Sequence, residues 1–87
     1  FNPQGTLHGG IITTIMDISM GHLIKNEQSA GTTLELKVNF MSAIKHEKIK
    51  CIGSFLKKGR TISTLDSKLF REDGKLAAYA TSTWKIL

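Results

Sequence analysis

The sequence predicts an α+β fold from two runs of apolar residues with different periods and from the single point where one gives way to the other. Apolar side chains recur at helical spacing before Gly31 and at alternate positions after it. In the first run, from about residue 9 to 25, Ile11, Ile12, Ile15, Met16, Met20, Leu23 and Ile24 share helical positions with one polar residue, Ser19. Ile18 lies elsewhere on the wheel and widens the apolar surface. A helix apolar on most sides is expected to be buried rather than to lie on a surface. Residues 26–31 supply a polar exit loop.

Four strands follow. Thr33, Glu35, Lys37 and Asn39 alternate with Leu34, Leu36, Val38 and Phe40, which predicts a half-buried strand by strict alternation. Residues 41–48 read as a loop, and a second strand spans roughly 49–56. Lys57-Lys58-Gly59 turns the chain into a third strand over about 60–70. Asp73-Gly74 is a strong hairpin signal and leads into the fourth strand, 76–86. There Leu76, Ala78, Ala80, Ser82, Trp84 and Ile86 occupy one face. Consecutive hairpins give an antiparallel sheet, and right-handed twist curls it around the helix. Four strands leave open edges, and this helix needs more cover than one short sheet offers. Self-association answers both needs.

With 87 residues the chain is one domain, able to bury only about 60–65% of its unfolded surface. An apolar fraction of 40% with 22% charged residues excludes a disordered composition. Asp17, His22 and Lys25 interrupt the one long apolar candidate, so no membrane span is expected. The start, Phe1-Asn2-Pro3-Gln4-Gly5, has neither the features of a signal peptide nor an initiator Met, and upstream residues are expected. Cys51 is the single cysteine, and the three histidines are scattered, which predicts no disulfide and no zinc site. A reducing, cytoplasmic location follows. The net charge of +5 suits nucleic acid, anionic lipid or a phosphorylated small molecule, without choosing among them.

Asp17 demands a reason, because it sits mid-helix among apolar residues with no Arg or Lys at helical contact distance. Its helical neighbours Thr13, Thr14 and Gly21 are small, as expected where something must approach the acid. The alternative is a solvent-facing carboxylate, or one bonded by Thr13. His8-Gly9-Gly10 is the second feature: glycines entering a helix put N–H groups at its positive end, ready for an anion or a carbonyl oxygen. Most such pairs are turns or caps. Gly9 and Asp17 stand about 12 Å apart along one helix. One reacting carbonyl cannot touch both in one chain, so the site is either shared across a dimer or not a joint one.

Asn2-Pro3-Gln4-Gly5-Thr6-Leu7-His8-Gly9-Gly10, with Asp17 nine residues after His8, resembles the hotdog-fold acyl-CoA thioesterases of the phenylacetate-pathway and thioesterase-superfamily type. The likeness continues through Gly31–Ser42, Leu56–Thr61 and Gly74–Thr81 and covers essentially the whole chain. It implies a single hotdog domain over 1–87, lacking the family's usual N-terminal helix and strand, with an antiparallel sheet wrapped around a long central helix and a dimeric assembly. It implies a hydrolase that cleaves acyl-coenzyme A to free acid and CoA with no cofactor. Asp17 matches the acid that activates water or attacks directly, and Gly9 the backbone N–H that polarises the thioester carbonyl. Asn2 and His8 match residues shaping that loop, and Thr33 a hydroxyl near the water. Phe40, Met41, Ser42 and Lys45 match one coenzyme A contact strip, and Lys57, Lys58, Gly59, Arg60 and Thr61 match another. Without the resemblance, Lys57–Arg60 is a solvated hairpin turn. The family also pairs dimers into tetramers through their sheets.

The remaining candidates read as structural. Cys51 is a small buried side chain, His46 a solvated loop residue, and Trp84 and Tyr79 packing residues at the sheet or subunit contact. His22 lies ~140° round the helix from Asp17, so the two form no dyad. Other functions are a non-catalytic acyl-CoA binder or a hotdog hydratase, the latter disfavoured because Pro3 stands where an acid is often found. A nucleic-acid-binding domain ranks last, since only Phe55 flanks the basic turn.

Overall fold

The computed structural model describes residues 9–27, 30–45 and 47–87. One helix, α1 (Gly9–Asn26), precedes four strands: β1 (Gly31–Phe40), β2 (Lys50–Lys57), β3 (Ile62–Phe70) and β4 (Leu76–Ile86). The strands form one antiparallel sheet in the order β1-β4-β3-β2, so β1 and β2 are its edges. This is the helix-and-sheet architecture that the hotdog resemblance implies. Among the described residues, no helix is long and apolar enough to cross a membrane.

The helix lies on one face of the sheet through Ile12, Met16, Met20 and Ile24, all buried. Their four-residue spacing sets them one above another on a single stripe. Leu65 and Leu69 of β3 and Ala78, Ala80 and Trp84 of β4 meet them, with Ile44 closing the core from the β1–β2 loop. The alanines on β4 leave the depth that the two methionines fill. Gly74, at φ 88°, turns the β3–β4 hairpin in a conformation that favours glycine.

Two expectations are corrected. The helix is not buried on most sides within the chain, because Ile11 and Ile18 remain 44% and 52% exposed on the face away from the stripe. Strict alternation also fails in β1. A β-bulge places Thr33 opposite Trp84 and Glu35 opposite Thr83, leaving Leu34 as the extra residue. Before the bulge Thr33 faces the helix, and after it Leu36 and Val38 do. Leu34 is turned out, 55% exposed on the edge strand.

On the outer face of the sheet, the carboxylate of Asp66 is buried. It accepts hydrogen bonds from the Ser54 hydroxyl and, at 2.8 Å, from the Tyr79 hydroxyl. This bond, with burial and the charge of Asp66, raises the Tyr79 pKa above its usual 10.0.

Candidate active site

The bulge in β1 brings the central pair together. Thr33 Oγ1 donates to Asp17 Oδ1 at 3.3 Å, joining the mid-helix acid to the strand that follows the helix. Thr13 does not take that role: its hydroxyl donates to the Gly9 carbonyl, and Thr14 likewise to that of Gly10, each at 2.9 Å. Both threonines are thus occupied one turn back along their own helix. Asp17 is left half-buried in a groove of about 370 Å³ with Ile18, Gly21, His22, Lys25 and Trp84. His22 therefore opens onto the same groove as Asp17 despite its angular separation. The Trp84 indole N–H donates to Ser82 Oγ at 2.8 Å, which fixes the ring under Gly21.

Gly9 lies in a different groove, of about 400 Å³, at the helix N-terminus with Ile12, Phe40, Met41, Ser42 and Ile44. A methyl group on Gly9 would sit 3.5 Å from the Phe40 ring. Ser42 Oγ is buried there without a hydrogen-bond partner. Phe40, Met41 and Ser42 are thus together beside Gly9, while Lys45 is exposed in the loop beyond, its backbone N–H bonded to Glu47. Asn2 and His8 lie outside the described residues.

The second basic strip is elsewhere. Lys58, Gly59 and Arg60 line a cleft of about 220 Å³ with Ile24, Glu27 and Phe55, near the helix C-terminus. Lys58 forms an ion pair with Glu27 and stands 5.0 Å from the centre of the Phe55 ring. Lys57 ends β2, and Thr61 accepts a bond from the Ile86 N–H through its carbonyl. A Cβ on Gly59 would run into the Ile62 carbonyl, so the turn admits only glycine without moving. The two strips expected to touch coenzyme A thus stand at opposite ends of one helix, separated by roughly 20 Å of helix axis. Among the described residues, no group of His, Cys, Asp and Glu is arranged to hold a metal ion.

Sequence reasoning missed the grouping of His22, Lys25 and Trp84 beside Asp17. Gly21 was the available signal, since a glycine one turn from the acid opens the helix surface there.

A family model described as the thioesterase superfamily matches residues 4–78, and the chain belongs to that family. The acyl-coenzyme A thioesterase 13 of Mus musculus is 35% identical over 86 residues, covering 94% of this chain and 61% of that protein. The chain thus spans about three fifths of the length of this curated relative. A thioesterase from Streptococcus pneumoniae, described as hypothetical and solved with coenzyme A, superposes with a TM-score of 0.94 at 26% identity, covering 99% of this chain and 70% of that one. The same protein was also solved with one aspartate and, separately, one threonine changed to alanine, residues 16 positions apart. Thioesterase superfamily member 2 of zebra fish superposes at 0.90 with 32% identity, covering 100% of this chain and 65% of that one.

Proposed function

We propose that the protein hydrolyses acyl-coenzyme A thioesters in a site shared by two chains. The observation that carries this reading is the Asp17–Thr33 pair, a mid-helix carboxylate held by a strand hydroxyl in an open groove. Asp17 and Thr33 are 16 residues apart, the separation of the aspartate and threonine altered in the Streptococcus pneumoniae protein. The coenzyme A bound to that relative supports the substrate class.

In the proposed reaction Asp17 takes a proton from water, and the hydroxide adds to the thioester carbonyl carbon. The Gly9 N–H, at the positive end of its helix, receives the developing oxyanion. The tetrahedral adduct expels the coenzyme A thiolate, to which protonated Asp17 returns the proton. Thr33 orients the carboxylate and the water, and Asn2 and His8 shape the loop before Gly9. Direct attack by Asp17, through a mixed anhydride, is the second route. In a single turnover in ¹⁸O-water, label in the Asp17 carboxylate would establish direct attack, with water opening the anhydride at the Asp17 carbonyl.

Gly9 and Asp17 occupy separate grooves of one chain, which supports two chains packed with antiparallel helices. That packing sets Asp17 of one chain against Gly9 of the other and carries the Lys57–Thr61 turn towards the Phe40–Ser42 groove of its partner. Both contact strips then reach one coenzyme A, with Lys45 at the rim. Ser42 Oγ offers an unused hydrogen bond in that groove, and Arg60 offers a charge for phosphate. Lys58 contributes less, because Glu27 already holds it.

Thiol release from a panel of acyl-CoAs tests the reading. Asp17→Ala is expected to lower turnover by about 10²–10⁴-fold while leaving the fold intact. Equal rates for the parent and this variant would refute the role of Asp17.

A further inference from the structure

The groove that holds Asp17 continues along the helix to two basic side chains. Gly21 and Lys25 follow Asp17 at successive four-residue steps, so all three share one face. The middle of the groove is apolar, formed by Ile18 and the Trp84 ring, which the missing side chain of residue 21 lets pack close against the helix. A methyl group at Gly21 would come within 3.3 Å of the indole, tighter than ordinary packing. The Trp84 N–H is already engaged by Ser82, so the ring offers only apolar surface. Lys25 and His22 are exposed at the far end, and Lys25 forms no ion pair among the described residues.

We infer that this groove is the acyl subsite, and that Lys25, assisted by His22, selects acyl groups bearing a carboxylate at the end remote from the thioester. The inference rests on the thioesterase reading for the position of the carbonyl, beside Asp17. From there the acyl chain lies over Gly21 against Trp84, and its distal carboxylate meets Lys25. Asp17 and Lys25 are about 12 Å apart along the axis, and a lysine side chain leans back towards the helix N-terminus. A medium-length diacid spans that interval. A short one would set its free carboxylate against Asp17, where like charges repel.

The test compares octanedioyl-CoA, octanoyl-CoA and butanedioyl-CoA as substrates of the parent and of Lys25→Met. The parent is expected to favour octanedioyl-CoA over octanoyl-CoA by about tenfold or more in kcat/KM, the size of one hydrogen bond to a charged group. It should discriminate against butanedioyl-CoA. Lys25→Met should bring the first ratio close to one. Equal kcat/KM values in the parent, or a preference that survives Lys25→Met, would overturn the inference while leaving the thioesterase reading intact. Trp84 is the single tryptophan, so its fluorescence reports on the groove without turnover. Octanoate, its carboxylate at Lys25 and its methyl end towards Asp17, should quench it saturably, neutral 1-octanol more weakly, and Lys25→Met should abolish the difference. If no acyl-CoA is hydrolysed, the thioesterase reading fails. Quenching by octanoate that depends on Lys25 would then still support the anion site, and its absence would overturn that as well.

Discussion

Asp17 was conspicuous in the sequence because a carboxylate among apolar helical residues needs a partner or a purpose. The identity of the partner was not written locally. Thr33 reaches it through a bulge, and a bulge leaves no mark on an alternating pattern in which Leu34, Leu36, Val38 and Phe40 look equivalent. The network of Asp66, Ser54 and Tyr79 was hidden for a similar reason, since three strands must pair in register to assemble it. It makes a prediction of its own. The Tyr79 pKa is raised in the folded chain, so the native state holds this proton more tightly than the unfolded one. The associated stability is complete below pH 10 and is lost as the pH rises through the folded value. Tyr79 is the single tyrosine, so ultraviolet titration of the phenolate reads it directly. The expected midpoint lies above that of the urea-unfolded chain, and Asp66→Asn should bring the two together.

At the scale of elements, helix and strand periods located α1 and all four strands to within two residues. β4 matched its expected span, 76–86, because inward small residues and Trp84 alternate from Ala78 to Trp84, and a bulge at Ala77 breaks the phase only at the start of the strand. The third strand starts at Ile62 rather than residue 60, and Gly59 and Ser63 bond across the turn that precedes it. The helix–sheet core depends on few large side chains, and Leu65 is fully buried among them. Leu65→Ala is expected to cost about 2–5 kcal/mol, read from the urea midpoint at unchanged slope. A loss below about 1 kcal/mol would mean that the helix does not pack on β3 as described.

For the whole molecule, small size and an over-apolar helix pointed from the outset to a partner chain. The structure sharpens this by locating what is left uncovered: Ile11 and Ile18 on the helix and Leu34 on the β1 edge. Pairing two chains along this side would cover all three and bring the two helices together. Leu34→Lys is therefore expected to convert a dimer into a monomer in sedimentation velocity, and to lower thiol release in step, without unfolding the chain. The outer sheet face is a poorer surface for pairing dimers at low salt. It presents Lys37, Lys50 and Lys68 against Glu35, so pairing through it would bring one net positive surface onto another.

Mixing two inactive variants tests the shared site most directly. Asp17→Asn removes the base, and Gly9→Pro removes the N–H at the first helical position, where proline is tolerated. Each variant alone should be inactive. After the two are unfolded and refolded together, half of the dimers are mixed, and each mixed dimer regains one intact site. Thiol release should return to about a quarter of the parent value. A mixture as inactive as its components would contradict the account, because it would place Gly9 and Asp17 of each site in one chain.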